Sequence, residues 1–210
     1  MNQTLETVSG KLVNIEHPDP ASICIDDIAW GLSRLPRFCG HTITVIPFSV
    51  AQHSIFVADE VERLINAGTS NIVTETEYWN VLSVMQSARN DLILKALLHD
   101  AAEAYTGDLP SPVKRLPTLS PIFKRIESQL MDSILLALDV GPMHDDEIKI
   151  IKYADRIAQK IEAHAFMTSR GKHWENMPDV SLEQLQGFPS PVPALDAYKM
   201  FLNRFNQLKV

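Results

Sequence analysis

The chain has 210 residues, 45% apolar and 21% charged, a globular mixture long enough to bury a sizeable core as one domain. Lys and Arg number 19 against 26 Asp and Glu, and this net charge of −7 argues against non-specific binding to nucleic acid or an anionic membrane. Two cysteines make no disulfide framework, no apolar run nears the roughly 20 residues of a membrane span, and residues 1–10 lack a secretory core, so a cytoplasmic setting is expected.

Leu5, Val8, Leu12, Val13 and Ile15 predict a short strand pair at the start. Asp19 or Ser22 is the expected cap of a helix over 23–35, ended by Pro36 and Cys39-Gly40. Ser49 is the expected cap of a second helix. Val50, Ser54, Val57, Val61 and Leu64 form its stripe, and it ends near Ala67-Gly68. Residues 68–77 read as a loop, and a third helix starts at Val81 or Ser87 and runs to Tyr105. A connector over 111–117 leads to a fourth helix over 120–138 and a fifth over 144–169. Residues 172–193 read as loop, and a last helix covers 194–208. The expected fold class is all-α, a single compact helical bundle spanning 1–210.

The most informative stretch is Leu97-Leu98-His99-Asp100-Ala101-Ala102-Glu103. An imidazole beside a carboxylate on an apolar helix is costly to bury unless something satisfies both, and a divalent metal would do so. Glu103, four residues after His99, is expected on the same side of the helix, and Asp108 follows just past its end. Alone, the His-Asp pair reads as a satisfied core histidine and a surface acid. Two further residues tip the balance. His53 sits on the second helix, flanked by Ala51 and Ile55. Asp155 shares the inward stripe of Ile148, Ile151 and Ala158 on the fifth. His53, His99, Asp100 and Asp155 thus form a candidate ligand set of mixed nitrogen and oxygen donors. It suits a transition metal such as Zn, Co or Mn better than Ca.

The order His53, His99-Asp100, Asp155 resembles the HD-domain metal-dependent phosphohydrolases. Val50-Ala51-Gln52-His53-Ser54, Leu98 to Glu103, Thr106 to Lys114 and Tyr153-Ala154-Asp155 are similar to the bacterial 5′-deoxynucleotidases. Arg37-Phe38-Cys39-Gly40-His41 resembles the phage-borne dATP triphosphohydrolases. The resemblance covers about 23–167. The tail from 172 to 210 has no counterpart, and Phe38 stands where the family often has Trp.

This resemblance implies an all-α HD bundle. It also implies His53, His99, Asp100 and Asp155 as metal ligands, Glu103 and Asp108 as catalytic acids, and Arg37 and Lys114 at the phosphates. Lys152, one turn before Asp155, is expected to face the same pocket and hold a polyphosphate tail. Pro112 is a candidate for crowding a ribose 2′-hydroxyl, beside its plainer reading as a turn proline. The implied reaction is attack of metal-activated water at the α-phosphorus of a deoxynucleotide. The leading expectation is a dATP-preferring dNTP triphosphohydrolase, with a 5′-deoxynucleotidase acting on dNMPs as the alternative. A non-enzymatic HD regulatory module is a third reading, disfavoured because every ligand position is filled. Homo-oligomers are expected, with no nucleic-acid or membrane partner. His41 and Trp30 read as structural more readily than as substrate contacts. Trp79 and Trp174 read as packing residues in loop-rich stretches.

Overall fold

The computed structural model describes residues 3–68, 86–186 and 188–209. The expected loop over 68–77 beyond Gly68, Trp79 and a helix start at Val81 lie outside them. The chain opens with the expected hairpin, β1 Thr4–Glu6 against β2 Leu12–Asn14, antiparallel with Leu5 opposite Val13. Val13 is buried while Leu5 and Leu12 stay exposed, so the pair contributes only one face. Asp27 anchors the hairpin turn, accepting from the Thr7 and Ser9 hydroxyls and the Ser9 N–H.

The first helix is shorter than expected. Asp19 caps a 3₁₀ turn, Pro20–Ser22, and α1 itself spans Ile25–Leu32. Extended backbone at Ile23 and Cys24 separates the two. α2, Val50–Asn66, begins as expected, with the Gln52 N–H donating to the Ser49 hydroxyl. α3, Gln86–Leu97, then departs from expectation. The Leu98 N–H still donates four residues back, to Leu94, but those of His99, Ala101 and Glu103 donate only three back, to Ala96, Leu98 and Asp100. His99 and Asp100 therefore sit in a tightened turn, not mid-helix, and α4, Glu103–Thr106, follows it.

α5, Ser111–Lys114, is the single turn in the expected connector. α6 Ser120–Ala137 and α7 Asp145–Phe166 agree with expectation to within a few residues. α8, Leu182–Gln186, lies in the stretch expected to be loop, and α9 covers Ala194–Leu208.

α2 is the central helix, packed against α3, α7 and α9. Val57, Val61, Leu92, Leu97, Ile150, Ala154 and Phe201 meet there with no solvent exposure or almost none. Each large aliphatic side chain buried so completely contributes about 1.5–3 kcal/mol. α1 lies across α4, so closely that a Cβ on Gly31 would come within 3.0 Å of Ala104. That core fixes His53 on α2, the His99-Asp100 turn after α3, and Asp155 on α7. Among the described residues, no helix is long and apolar enough to cross a membrane.

Candidate active site

Three elements bring the four candidate ligands together. His53 has no solvent exposure, and its Nε2 lies 3.1 Å from Asp155 Oδ1 and 3.5 Å from Asp100 Oδ2. His99 Nε2 lies 3.2 Å from Asp100 Oδ2, and the two imidazole rings are 5.3 Å apart. Ligand atoms of His53, His99 and Asp100 fall within 4.8 Å of one another. The tightened turn has a direct chemical use. The Ala96 carbonyl accepts from His99 Nδ1 at 2.8 Å, which leaves the lone pair of the neutral ring on Nε2.

Glu162, buried to 0% exposure, orders the other side. His53 Nδ1 donates to its Oε1 at 2.5 Å, while Arg37 Nε and Nη2 donate to its Oε2, both at 3.3 Å. A carboxylate behind a ligating imidazole fixes the ring and raises its basicity. The Nε2 atoms of both histidines are buried with no hydrogen bond of acceptable geometry. Two orphaned nitrogens facing two carboxylates fit a divalent cation held by His53, His99, Asp100 and Asp155.

The electrostatics agree. Burial and Arg37 oppose a proton on His53, yet Glu162 and Asp155 outweigh them and push its pKa up to about 10. Against the cost of burial, His99, His53 and Arg37 hold Asp100 well below the usual carboxylate range. His53 and His99 likewise lower Asp155 despite its burial. Three acids around one buried imidazole, Asp100, Asp155 and Glu162, form an anionic well, the charge a cation would neutralise.

Beside the ligands lies a cavity of about 650 Å³, whose wall includes Arg37, Asp100, Glu103, Asp108 and Asp155. Lys114 Nζ donates to Glu103 Oε1 at 2.8 Å and to Glu127 Oε1 at 3.0 Å, leaving Glu103 Oε2 buried and unpaired. Burial, reinforced by Asp100 and Asp108, pushes the Glu103 carboxyl up to about 8 against the pull of Lys114. Burial also raises Asp108, although Arg37 Nη1 stands 3.6 Å away. Arg37 opens a turn in which Phe38 (φ 56°) and Cys39 (φ 53°) are both left-handed, backbone strain beside the cavity.

Pro112 and Lys114 line the cavity as well. Lys152 does not. It is exposed, with Lys149 and Arg156, on the outward strip of α7. A position three residues before Asp155 is rotated about 60° around the helix, enough here to leave the pocket. His41 is exposed, and neither it nor Trp30 lines the cavity. Trp30 instead carries the Arg34 guanidinium 3.4 Å above its ring and meets Tyr198 edge-on.

A family model described as 5′-deoxynucleotidase YfbR-like matches residues 32–207, well over half the chain. The protein belongs to the YfbR-like family. It is thus an HD-domain phosphohydrolase, as the order of His and Asp residues suggests. Its match to the YfbR-like model runs past the region of motif resemblance and takes in α8 and α9.

The chain is 28% identical to the Escherichia coli (strain K12) protein named "Uncharacterized protein YfdR", over 97% of this chain and 94% of that one. It is 29% identical to the 5′-deoxynucleotidase VP0926 of Vibrio parahaemolyticus, over 54% of this chain and 60% of that one. It is 34% identical to the 5′-deoxynucleotidase plu3092 of Photorhabdus laumondii, over 44% and 53% respectively.

Sequence reasoning missed Glu162, Gln159, Glu127 and the role of Trp174. Gln159 Nε2 donates to both Asp155 oxygens, at 3.0 and 2.9 Å. Trp174, expected as a packing residue in a loop-rich stretch, lines the cavity, its ring 5.7 Å from that of Phe38. Asp155, Gln159 and Glu162 fall at i, i+4 and i+7, a polar helical stripe visible in the sequence.

Proposed function

We propose that this YfbR-like protein is a divalent-metal-dependent 5′-deoxynucleotidase, releasing phosphate from deoxynucleoside monophosphates. The observation that carries the reading is the pair of buried, unpaired Nε2 atoms of His53 and His99 facing Asp100 and Asp155, next to Glu103. Relatives named 5′-deoxynucleotidase support a deoxynucleotide substrate. The exposed position of Lys152 removes one ground for preferring a triphosphate tail.

A cation held by His53, His99, Asp100 and Asp155, with Zn, Co or Mn the best match to these donors, would supply Lewis acidity and lower the pKa of water at the phosphorus. The residues divide the remaining work. Glu103 orients the attacking water and takes its proton, its free Oε2 being the acceptor. Lys114 positions Glu103 and faces growing phosphate charge. Asp108, raised by burial, is suited to hold a proton and give it to the leaving 5′-oxygen. Arg37 braces Glu162 and turns Nη1 toward Asp108 and the phosphate. Pro112 stands in the cavity wall as the candidate for excluding a 2′-hydroxyl. Trp174 and Phe38 offer aromatic surface for a base. We place the enzyme in the cytoplasm as a homo-oligomer acting on free nucleotides.

The test is phosphate release from the four dNMPs and the matching ribonucleotides, with Co, Mn, Zn or Mg added in turn and with chelator. Metal-restored release from dNMPs is expected, and turnover untouched by chelator would refute the metal reading. Pro112→Ala is expected to narrow the deoxy-to-ribo ratio, and an unchanged ratio would sink the steric role.

Glu103→Gln is expected to lower kcat about 10²-fold or more, the usual scale for general acid–base catalysis. The carboxylate is the active form, so wild-type rate rises with pH as Glu103 ionises. Burial raises Glu103 to about 8, and a bound cation favours the carboxylate and would move that limb lower. The variant's profile should lose the limb. A profile of unchanged shape would remove Glu103 from the base role.

A further inference from the structure

A second cavity, of about 460 Å³, lies where the chain leaves α7. Its wall is His164 from the helix, then Thr168, Ser169, Arg170, Lys172 and His173 from the turn beyond. Two full cations, two imidazoles and two hydroxyls line it, and no carboxylate does, in a chain whose net charge is −7. In the catalytic cavity Arg37 is neutralised by Glu162, and Lys114 by Glu103 and Glu127, whereas Arg115 at its edge enters no ion pair among the described residues. Arg170 and Lys172 are exposed and enter no ion pair among the described residues.

The turn is built to hold this arrangement. Arg170 (φ 52°) and Gly171 (φ 71°) are both left-handed. Gly171 is buried so tightly on α7 that a Cβ there would come within 3.0 Å of the Ala163 Cβ. The C-terminal end of α7 carries about half a negative charge, which disfavours an anion. Two unpaired full positive charges outweigh it. A guanidinium fork, an ammonium and neighbouring hydroxyls are the donor set that suits tetrahedral phosphate oxygens. His173 also lines the catalytic cavity, so the two cavities adjoin.

From this cavity we infer that the protein has a second anion site, which binds a phosphate group through Arg170 and Lys172. The group is either free phosphate or the terminal phosphate of a polyphosphate chain. The site is separate from the metal ligands and does not depend on the catalytic reading.

Isothermal titration of the metal-loaded, full-length protein with inorganic phosphate, and separately with tripolyphosphate, tests this. The expected result is binding that weakens about ten-fold or more in Arg170→Ala/Lys172→Ala and persists in Lys114→Ala. Lys172→Gln alone should weaken it in the same direction, which guards against a folding defect in the double variant. Turnover of dNMPs by the double variant should stay within about two-fold of wild type. Response to inorganic phosphate identifies free phosphate as the occupant, and response to tripolyphosphate alone identifies a polyphosphate tail. Binding that Lys114→Ala removes and Arg170→Ala/Lys172→Ala spares would overturn the inference, as would no binding of either anion.

Discussion

Asp155→Ala is expected to abolish tight divalent-metal binding and to lower turnover about 10³-fold or more, while the helices stay folded. That loss corresponds to about 4 kcal/mol of transition-state stabilisation, within what a metal centre supplies. Asp155 lies 3.1 Å from His53 Nε2, opposite the His99-Asp100 turn, so no other acid on α7 replaces it. The structural penalty should be small. The side chain is about a quarter exposed, and the Gln159 amide it leaves behind lies near solvent. Metal titration and circular dichroism on the same sample separate the two effects. Undiminished metal binding in a folded variant would show that the ligand set is wrong.

Glu162→Ala is expected to be the most destabilising single change at the site, by about 3–5 kcal/mol, because it strands a buried charge. Glu162 receives His53 Nδ1 on one oxygen and Arg37 on the other, with no exposure to water. Its removal leaves Arg37, only 8% exposed, with Asp108 at 3.6 Å as its one remaining acid partner among the described residues. Metal affinity should also fall, about 10–100-fold, because nothing then holds the His53 ring. Glu162→Gln keeps the shape and one acceptor oxygen, so it should cost less stability while still weakening the metal. Urea unfolding of both variants, with and without metal, reads the two quantities. A loss under about 1 kcal/mol for Glu162→Ala would contradict the bracing role.

The residues carried much of this in plain form. Ser49 announces α2, and apolar spacing at Ile151, Ala154, Ala158 and Ile161 announces α7 and places Asp155 inward. Other features left weaker traces. Residues 97–103 hold good helix formers and neither Gly nor Pro, so local propensity gives no reason to end α3 at Leu97. At the break the Ala96 carbonyl accepts from both the N–H and the Nδ1 of His99. Glu162 was overlooked because it follows Ile161 and reads as the edge of an apolar stripe. Like Asp155, it is an acid on an inward face of α7. Lys152 lies one turn before Asp155, but the rotation that accompanies this spacing carries it to the exposed side of α7. Trp174 reaches the cavity through a segment with no periodicity, where only the folded chain reveals the contact.

The central claim is that His53, His99, Asp100 and Asp155 form the metal centre of a deoxynucleotide phosphohydrolase. Phosphorus NMR of dAMP and of dATP, each incubated with the metal-loaded protein, tests it most directly. The account predicts inorganic phosphate from dAMP, lost on chelation and restored by Co, Mn or Zn. Triphosphate from dATP with dAMP untouched would keep the metal centre but replace the monophosphatase with a triphosphohydrolase. No phosphorus product from either nucleotide, in a folded protein shown to bind metal, would contradict the account.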